Sequence, residues 1–436
     1  MIAWPPAELL TDEYQLAMAD SYLAQGKAAE PVAFELFVRV LPPDRGFLVA
    51  AGLERVVQYL TGFSFGEPAL DYLRRSQTCG EALLEHLAGL HFTGDLDAVS
   101  EGTVVHAGEP LLRVGGGRLM CQLAETFLLN QVNFQTMIAT KAGRIVVAAG
   151  GRQVTDFGFR RAHGADAGLL AARSAYIGGC TGTATVAAGF EWGIPTSGTM
   201  AHSYVLAFPT DVEAFCAFMR DHPRRSTLLI DTHDALLGAR AACEAARITG
   251  TVPQAVRLDS GDLLAVTVAV RAILDEGGCG ETRIVVSGDL DEYRIEKLLG
   301  AGAPIDGFGV GTALTTSSDA PTLGGVYKLV QSNGRPVMKA AGVKSNLPGR
   351  HQVFRTTGSG ADTIGLDDEE LPGERLLQPV IRDGRLVAPL PALADVRRRA
   401  AAQIAGLPSE VRALRDPQEL RPKLSELLSA LEEEMS

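Results

Sequence analysis

The sequence predicts an α/β fold: an irregular seven-stranded α/β barrel of the TIM type beside an N-terminal α+β domain that C-terminal segments complete. The first observation is a rhythm in which short apolar runs stop at polar residues, mostly with room for a helix before the next run. That rhythm is typical of repeated strand, loop and helix. The second observation is that residues before about 150 lack it. The seven stops are DFGFRR at Asp156, IGGCTG at Ile177, TSGTMAHS at Thr196, LLIDTHD at Leu228, VRLDSGD at Val256, VVSGDLD at Val285 and GFGVGT at Gly307.

The N-terminal domain is predicted over residues 1–150. A helical pattern includes Tyr14 and Leu23, and a loosely alternating strand covers 32–40. The text GTVVHAGEPLLRVGGGR indicates two short strands about a Gly-Glu-Pro turn. An apolar face over 119–149 then indicates a long helix.

The barrel is predicted over residues 151–345, and residues 346–436 form a C-terminal segment that packs on the N-terminal domain. Paired short apolar runs between about 352 and 391 indicate a small β region. The charged stretch 392–436 indicates a helix that packs or covers the surface.

Composition excludes several classes of function. A formal net charge of -12 opposes binding to a nucleic-acid backbone. The chain does not open on a basic region followed by an apolar run, and no segment approaches the roughly 18 apolar residues of a membrane span. We therefore expect a cytoplasmic protein with no membrane partner. The six cysteines form no C-x-x-C pair, so we expect reduced thiols and no metal held by the protein alone.

The polar stops predict an active site, because barrel enzymes carry their chemistry on loops at the carboxyl ends of the strands. His202 follows Thr199 in GTMAHS, among small residues that let a ligand approach the backbone. An imidazole there can act as a base, a phosphate contact or a nucleophile. A hydrogen-bonded structural histidine is the alternative.

Two later stops carry carboxylates. VRLDSGD places Arg257, Asp259 and Asp262 at one strand end, and VVSGDLD places Gly288 and Asp289 at the next. Carboxylates suit ribose hydroxyls or Mg²⁺, and arginine suits a carboxylate or phosphate. A surface turn with an ion pair is the alternative at either stop, but two such turns on successive strands favour a polar ring.

Glycines and an aromatic ring mark two further stops. In GFGVGT, Gly311 and Thr312 offer backbone amides and a hydroxyl to a phosphate, although close packing of strands explains such glycines equally well. In DFGFRR, Phe157 offers a face to a flat ring, and Arg160 and Arg161 offer charge to an anion.

Taken in order, these segments resemble nicotinate phosphoribosyltransferases of the type II phosphoribosyltransferase group. The resemblance covers roughly residues 8–355. The matching text is TDEYQLAM, EGTVVHAGEPLLRV, NQVNFQTMIATKAGR, FGFRRAHGADAGLLAARSAYIGGCTGTATVAAG, GIPTSGTMAHSYV, VRLDSGDL, VSGDLDE, GFGVGTAL and PTLGGVYKLV.

The resemblance implies an activity and its partners. Members of the family join nicotinate to 5-phosphoribosyl-1-diphosphate in NAD salvage, which gives nicotinate mononucleotide and diphosphate, and they couple ATP hydrolysis to the reaction. ATP is thus implied as a co-substrate, and Mg²⁺ as the ion on the departing diphosphate. The family fold is an irregular seven-stranded barrel beside an N-terminal α/β domain.

The resemblance also implies roles for single residues. His202 matches a histidine that ATP phosphorylates transiently. Arg257 and Thr199 match contacts to nicotinate. Phe157 and Arg160 match positions that stack on and bond to the pyridine ring in related enzymes that use nicotinamide.

Further roles implied by the resemblance concern the subunit contact and the phosphoribosyl group. Tyr14 matches an aromatic residue that closes over the ring from the neighbouring subunit, so a homodimer with the site at its interface is implied. The set implied for phosphoribosyl diphosphate comprises Asp259 and Asp289 as catalytic carboxylates at the ribose, and Arg161, Gly288, Gly311 and Thr312 as binding residues.

The chain departs from the family pattern at four positions. Ala340 and Ala341 stand where a Ser/Thr-Glu pair is frequent, His351 where lysine is frequent, and His233 where tyrosine is common. The first three bear on how ATP or diphosphate is held. The candidate substitutes are Lys344 and Arg350.

Three other functions stay open. A related nicotinamide enzyme uses an acidic residue in a Gly-Thr-Asp-Thr segment, where this chain has Ala184, and the missing carboxylate favours nicotinate. A non-catalytic binding barrel would keep the fold without turnover. A Schiff-base lyase would use Lys141 or Lys339, and borohydride trapping with a keto substrate would reveal it.

Overall fold

The computed structural model describes residues 6–339, 346–356 and 361–436. The chain divides into two compact units. Unit 1 combines both ends of the chain, Met1–Met137 and Thr322–Ser436, and unit 2 is the continuous segment Ile138–Pro321. The domain boundaries predicted from the sequence stand at 150 and 345.

The helices and strands are numbered in chain order. Up to Ala148 they are α1 Glu13–Ala24, β1 Pro31–Val38, β2 Leu48–Val49, α2 Leu53–Thr61, α3 Glu67–Ser76, α4 Glu81–Ala88, β3 Asp95–Val99, β4 Val104–Val105, β5 Pro110–Gly117, α5 Arg118–Leu123 and α6 Glu125–Ala148. They continue with β6 Gln153–Asp156, α7 Ala165–Ile177, β7 Gly182–Thr183, α8 Val186–Trp192, α9 His202–Val205, α10 Asp211–Asp221, β8 Thr227–Leu229, α11 Ala235–Thr249, β9 Ala255–Leu258, α12 Leu263–Glu276, β10 Arg283–Val286, α13 Glu292–Gly300, β11 Gly307–Val310 and α14 Thr312–Thr315. The C-terminal segment adds β12 Gly325–Ser332, β13 Arg335–Pro336, β14 His351–Arg355, β15 Thr363–Leu366, β16 Glu374–Arg375, β17 Leu377–Arg382, β18 Arg385–Leu386, α15 Leu393–Gly406, β19 Lys423–Leu424 and α16 Glu426–Met435.

Unit 1 is built on a seven-stranded sheet in the order β13-β12-β1-β5-β3-β17-β18. Its paired strands are antiparallel. Strand β1 lies between β5 and β12, and most of its residues are buried. Burial on both faces explains why PVAFELFV is almost continuously apolar instead of strictly alternating. The N-terminal and C-terminal segments therefore share one sheet.

Smaller elements complete unit 1. A second sheet has the order β16-β14-β15-β19, and β2 pairs with β4 alone. Helix α15 buries Val396, Ala400 and Ile404, which recur every four residues and form one apolar face. Ser425 is the N-cap residue of helix α16, and its hydroxyl accepts a hydrogen bond from the backbone N–H of Leu428.

Unit 2 contains a six-stranded parallel sheet in the order β7-β6-β11-β10-β9-β8. Its strands bury apolar side chains that contribute about 1.5–3 kcal/mol each when fully removed from water. The alanine-rich helix α11 buries small residues against this core. Apolar strand residues with no exposed surface include Leu228, Leu229, Val256, Leu258, Ile284, Val286 and Val310.

The structure confirms the α/β class and corrects the prediction of a closed seven-stranded barrel. Within unit 2, all of which is described, the third predicted strand is reduced to one parallel bridge between Thr196 and Thr183. No ladder joins Thr196 to β8, so the sheet is curled but open. The reason is local: Pro195 has no N–H for a ladder, and Gly193 turns the chain with a φ of 66° just before it.

Aspartates begin three of the helices that follow the strands. Asp234, Asp262 and Asp291 are the N-cap residues of α11, α12 and α13, and each side chain accepts a backbone N–H of the first turn. Such a cap stabilises a helix by about 1 kcal/mol. Asp262, a candidate for ligand binding in the sequence, thus has a structural role.

The described ranges contain no helix with both the length and the apolar character to cross a bilayer. They also contain no group of three or more histidine, cysteine, aspartate or glutamate side chains arranged to hold a metal ion. The six cysteines are free thiols, as predicted. Burial raises the pKa of the Cys121 thiol to about 12, so it is unreactive at neutral pH.

Candidate active site

The candidate site lies at the carboxyl edge of the parallel sheet of unit 2, where the ends of parallel strands meet. Among the predicted residues, Tyr14 belongs instead to unit 1, on α1, and its side chain is 51% exposed. The predicted residues at the edge are Phe157, Arg160 and Arg161 after β6, Thr199 and His202 after the Thr196 bridge, Arg257 and Asp259 at the end of β9, Gly288 and Asp289 after β10, and Gly311 and Thr312 after β11.

Arg257 is a buried cation with one unsatisfied hydrogen-bond donor. Its Nη1 donates to Oγ1 of Thr199 over 2.6 Å, whereas its buried Nε has no hydrogen-bond partner among the described residues. Burial lowers the pKa of this guanidinium, the carboxylates of Asp259 and Asp231 oppose that effect, and the charge of Arg160 adds to it. An unmade buried hydrogen bond costs about 1–3 kcal/mol. Arg257 is therefore arranged to receive an anionic ligand.

Phe157 brings an aromatic ring to the same edge. Its backbone N–H donates to the carbonyl oxygen of Val310 over 2.8 Å, which connects the loop after β6 to β11. A Cβ atom added at Gly309 would come within 2.3 Å of the ring. The middle glycine of GFGVGT is therefore required for ring packing. Arg160 and Arg161 follow on the same loop, and both are exposed.

Asp156, at the end of β6, supports that loop. It is buried, and its carboxylate accepts hydrogen bonds from Oγ1 of Thr183 over 2.7 Å and from the backbone N–H of Gly158 over 2.8 Å. Burial raises the pKa of this carboxyl, and the two hydrogen bonds oppose the rise. Asp156 thus fixes the start of the turn that carries Phe157.

The carboxylate of Asp259 is held by its neighbours. The hydroxyl of Ser287 donates to Oδ1 of Asp259 over 2.5 Å. The backbone N–H of Asp259 and the hydroxyl of Ser260 donate to Oδ2 of Asp231, over 2.7 and 2.8 Å. Because β10, β9 and β8 are adjacent in the sheet, one series of hydrogen bonds crosses three strand ends.

Asp231 lies in a predicted stop, LLIDTHD, but received no role from the sequence. Its Oδ1 is buried and has no hydrogen-bond partner in the described part of the chain. The signal that could have found it is positional, because Asp231 and Asp259 each follow a short buried strand closely.

The turn after β10 needs a glycine. Gly288 has a φ of 93°, and a Cβ atom there would lie 2.1 Å from the carbonyl oxygen of Asp259. Asp289 follows with a φ of 46°, and its side chain is exposed. Nη1 of Arg294 donates to the carbonyl oxygens of Gly288 and Asp289 over 3.1 and 3.3 Å. The turn is thus held in a left-handed conformation that presents Asp289 at the edge.

His202 begins the short helix α9. Its Nδ1 lies 3.1 Å from Oγ1 of Thr232, the residue after Asp231. That hydrogen bond orients the imidazole and engages one of its two nitrogens.

Gly311 and Thr312 stand where β11 passes into α14. The side chain of Thr312 is exposed, while the hydroxyls of Thr315 and Ser317 are buried and lack partners among the described residues. The loop carrying Phe157 packs closely here, because a Cβ atom at Gly158 would lie 2.5 Å from the side chain of Thr315. The two predicted phosphate-binding loops are therefore neighbours in unit 2.

Comparisons with known proteins identify the family. Family models of nicotinate phosphoribosyltransferase match over three regions: its N-terminal domain at residues 9–133, the family region at 152–346 and its C-terminal domain at 368–432. Nicotinate phosphoribosyltransferase pncB2 of Mycobacterium tuberculosis is 46% identical over 414 residues, which cover 94% of this chain and 89% of the relative. This chain belongs to the nicotinate phosphoribosyltransferase family.

Other relatives agree with that assignment. The nicotinate phosphoribosyltransferase of Bacillus subtilis is 38% identical over 384 residues, covering 85% of this chain and 78% of the relative. The crystal structure of human nicotinic acid phosphoribosyltransferase matches with a TM-score of 0.86 and 30% identity, covering 98% and 100% of the two chains. The structure of nicotinate-nucleotide pyrophosphorylase from Pyrococcus furiosus matches with a TM-score of 0.77 and 27% identity, covering 93% and 98%. Proteins with different names share this fold, so the family assignment rests on sequence identity and not on the fold alone.

Two departures from the nicotinate phosphoribosyltransferase pattern lie in described residues. His233 is largely exposed, and its Nδ1 lies 3.1 Å from a carboxylate oxygen of Asp211. His351 is buried in unit 1, where its Nδ1 lies 2.6 Å from Oε2 of Glu35 and its Nε2 lies 3.1 Å from the carbonyl oxygen of Pro348. His351 is therefore enclosed by structural partners within unit 1.

The remaining departures concern the predicted loop for ATP or diphosphate. Ala340, Ala341 and Lys344 lie outside the described residues. Arg350, the other candidate substitute, forms an ion pair of 3.2 Å with Asp367 in unit 1.

The alternatives to a nicotinate phosphoribosyltransferase find little support in the side chains. Nζ of Lys141 is buried between the carboxylates of Glu292 and Asp319, at 2.6 and 2.7 Å, whereas a Schiff-base lysine needs a neutral and accessible amine. Lys339 belongs to unit 1 and is not one of the residues at the sheet edge of unit 2. Ala184, where the nicotinamide enzyme carries an acid, is exposed and presents no carboxylate.

Proposed function

We propose that this chain is a nicotinate phosphoribosyltransferase of NAD salvage, joining nicotinate to 5-phosphoribosyl-1-diphosphate. The observation that carries the proposal is the buried guanidinium of Arg257 with its unpartnered Nε. Nicotinate brings a carboxylate that can complete those hydrogen bonds, and guanidinium matches carboxylate geometry. Nicotinamide brings no charge, so it would form no ion pair with this guanidinium. The names of the relatives agree with this substrate.

The transfer breaks one bond and forms another. The pyridine nitrogen of nicotinate attacks C1 of the ribose, the bond from C1 to diphosphate breaks, and positive charge develops on the ribose. Arg257 and Phe157 would orient the ring so that its nitrogen faces C1. Asp259 would stabilise the developing charge, and Ser287 already holds its carboxylate at 2.5 Å, so little reorganisation is needed.

The remaining loops would hold the phosphoribosyl group. Asp289 and Gly288 would contact the ribose hydroxyls, since their turn presents a carboxylate and bare backbone. Gly311 and Thr312 would contact the 5-phosphate with backbone and hydroxyl groups. Arg161, exposed on the loop after β6, would neutralise a phosphate charge.

ATP would act through His202. The γ-phosphoryl group passes to the imidazole with release of ADP, and water later takes it with release of phosphate. A phosphoryl group brings about two negative charges to the loop. The hydrogen bond between Nδ1 and Oγ1 of Thr232 supports this role, because it orients the ring before the transfer.

Mg²⁺ would arrive with the diphosphate. The donors fit, because Asp259 and Asp289 are two carboxylates on neighbouring turns after β9 and β10. Mg²⁺ commonly binds through one or two carboxylates together with substrate phosphates. When bound, the ion would neutralise charge on the leaving diphosphate.

The working unit would be a homodimer in which Tyr14 of one subunit closes over the nicotinate ring bound in the other subunit. The exposure of Tyr14 on α1 supports this, because an aromatic ring at the surface is available to a partner. Mixing inactive Tyr14→Ala and Arg257→Met variants should restore part of the activity, because a mixed dimer contains one intact site. Mixtures that stay inactive after subunit exchange would contradict a shared site.

The test of function is product formation. Labelled nicotinate or nicotinamide is incubated with phosphoribosyl diphosphate and Mg²⁺, with and without ATP, for the wild type, His202→Ala and a control, His222→Ala, whose side chain is exposed on the same unit. We expect nicotinate mononucleotide that rises with ATP in the wild type and control only. Turnover of nicotinamide alone would move the assignment to the related enzyme, and no product from either would favour a binding protein.

A further inference from the structure

We propose that Asp231, to which neither the motifs nor the comparisons give a role, is a positioning residue for the phosphoribosyl transfer. The inference rests on the proposed function, since it concerns the same site. Asp231 acts through Asp259, by fixing the turn that carries this carboxylate.

Two hydrogen bonds connect Asp231 to that turn. Its Oδ2 accepts the backbone N–H of Asp259 over 2.7 Å and the hydroxyl of Ser260 over 2.8 Å. Bonds to a carboxylate are shorter and stronger than bonds between neutral groups. On the other side, Ser287 holds the Asp259 carboxylate itself. Asp259 is therefore fixed at its backbone from β8 and at its side chain from β10.

Asp231 also reaches the part of the site that receives the anion. Burial lowers the pKa of Arg257, and the carboxylates of Asp259 and Asp231 oppose that effect. The other oxygen of Asp231, Oδ1, is buried and unpartnered among the described residues. A buried carboxylate oxygen without a hydrogen bond lowers the stability of the folded protein. Since Asp231 does not gain stability from this oxygen, the arrangement favours a role for Asp231 in the site.

Asp234 offers a matched control three positions later in the same loop. Its Oδ1 accepts the backbone N–H groups of Leu236 and Leu237 over 2.9 and 2.8 Å and caps α11. Removing such a cap lowers stability by about 1 kcal/mol and leaves the strand ends as they are. Asp234→Ala thus reports what a structural loss in this loop does to the kinetics.

The experiment compares Asp231→Asn, Asp231→Ala, Asp234→Ala and Asp259→Asn with the double variant Asp231→Asn/Asp259→Asn. kcat and the two KM values are measured with nicotinate and phosphoribosyl diphosphate, and Tm by circular dichroism. Asparagine keeps the shape of the side chain, so that variant should fold even if the alanine variant does not. We expect Asp231→Asn to lower kcat about tenfold to a hundredfold. Its neutral amide holds the turn more weakly than a carboxylate does, and a displacement of a catalytic group by about 1 Å costs up to about a hundredfold. Asp234→Ala should lower Tm and leave kcat within about twofold.

The double variant decides whether Asp231 acts through Asp259. If it does, the double variant is no slower than Asp259→Asn alone, since residues that act as a unit are not additive. Losses that multiply would overturn the inference, and so would an Asp231→Asn variant with a lowered Tm and an unchanged kcat. No product from the wild type would overturn the proposed function and this inference together, whereas an active wild type with an unaffected Asp231→Asn variant would overturn this inference alone.

Discussion

Replacing Arg257 by glutamine should change which pyridine substrate is preferred. The substitution removes the buried charge and keeps an N–H donor on a polar side chain. Removing one partner of a buried, hydrogen-bonded charge pair costs about 2–5 kcal/mol. At about 1.4 kcal/mol for each factor of ten, kcat/KM for nicotinate should fall by about 30-fold to several-thousandfold. Nicotinamide loses no charge pair, so its kcat/KM should change by less than about tenfold.

The assay measures kcat/KM for both substrates in the wild type, in Arg257→Gln and in a control, Arg247→Gln. Arg247 is an exposed arginine on α11 that pairs with Glu244 on the same helix, and surface pairs of this kind contribute little. The control should match the wild type for both substrates. Equal losses for nicotinate and nicotinamide in Arg257→Gln would refute the reasoning, because the guanidinium would then not distinguish a carboxylate from an amide.

Three further predictions concern coupling, the turn after β10 and pH. Thr232→Val removes the hydroxyl that lies 3.1 Å from Nδ1 of His202. When product formation is measured with and without ATP, the stimulation by ATP should be several-fold weaker and the rate without ATP unchanged. Gly288→Ala would place a Cβ atom 2.1 Å from a carbonyl oxygen, at a residue whose φ is 93°. Denaturant titration should show that the free energy of unfolding falls by more than about 1 kcal/mol. The KM for phosphoribosyl diphosphate should rise. Burial, with the charge of Asp362, raises the pKa of Glu109 well above its usual range. The folded state therefore keeps this proton after the unfolded chain has lost it, so stability falls as pH rises from about 4.3, the usual glutamate pKa. Glu109→Gln should remove that decline in urea titrations at several pH values; identical slopes in both proteins would contradict the assignment.

The strand ends were predictable because each combines two local signals, a short apolar run and the polar or glycine residue that follows it. At β9, β10 and β11 a buried apolar run stops at Asp, Ser or Gly, and the structure places all three stops at one edge of the sheet. The third stop also ends at polar residues, but Pro195 cannot donate to a ladder, so Thr196 forms only a bridge. Barrel closure depends on hydrogen bonds between distant segments, which local patterns do not specify.

The roles of the aspartates were only partly predictable. Composition and spacing marked Asp259 and Asp262 alike, yet Asp262 caps α12 while Asp259 is held between Ser287 and Asp231. Which N–H or hydroxyl a carboxylate meets is decided by neighbouring strands far apart in the sequence. For that reason the motif indicated the right turn but missed Asp231, its partner from β8.

The sharing of one sheet by both ends of the chain has a consequence for synthesis on the ribosome. Strands β1 and β3 emerge early and can pair with β5, but their other neighbours, β12 and β17, are translated only after the whole of unit 2. Unit 2 is continuous and can fold as it emerges, while β1 and β3 still present open backbone edges that invite pairing with other chains. A nascent chain that stops after Pro321 would thus contain all the predicted site residues of unit 2 and still be prone to aggregate.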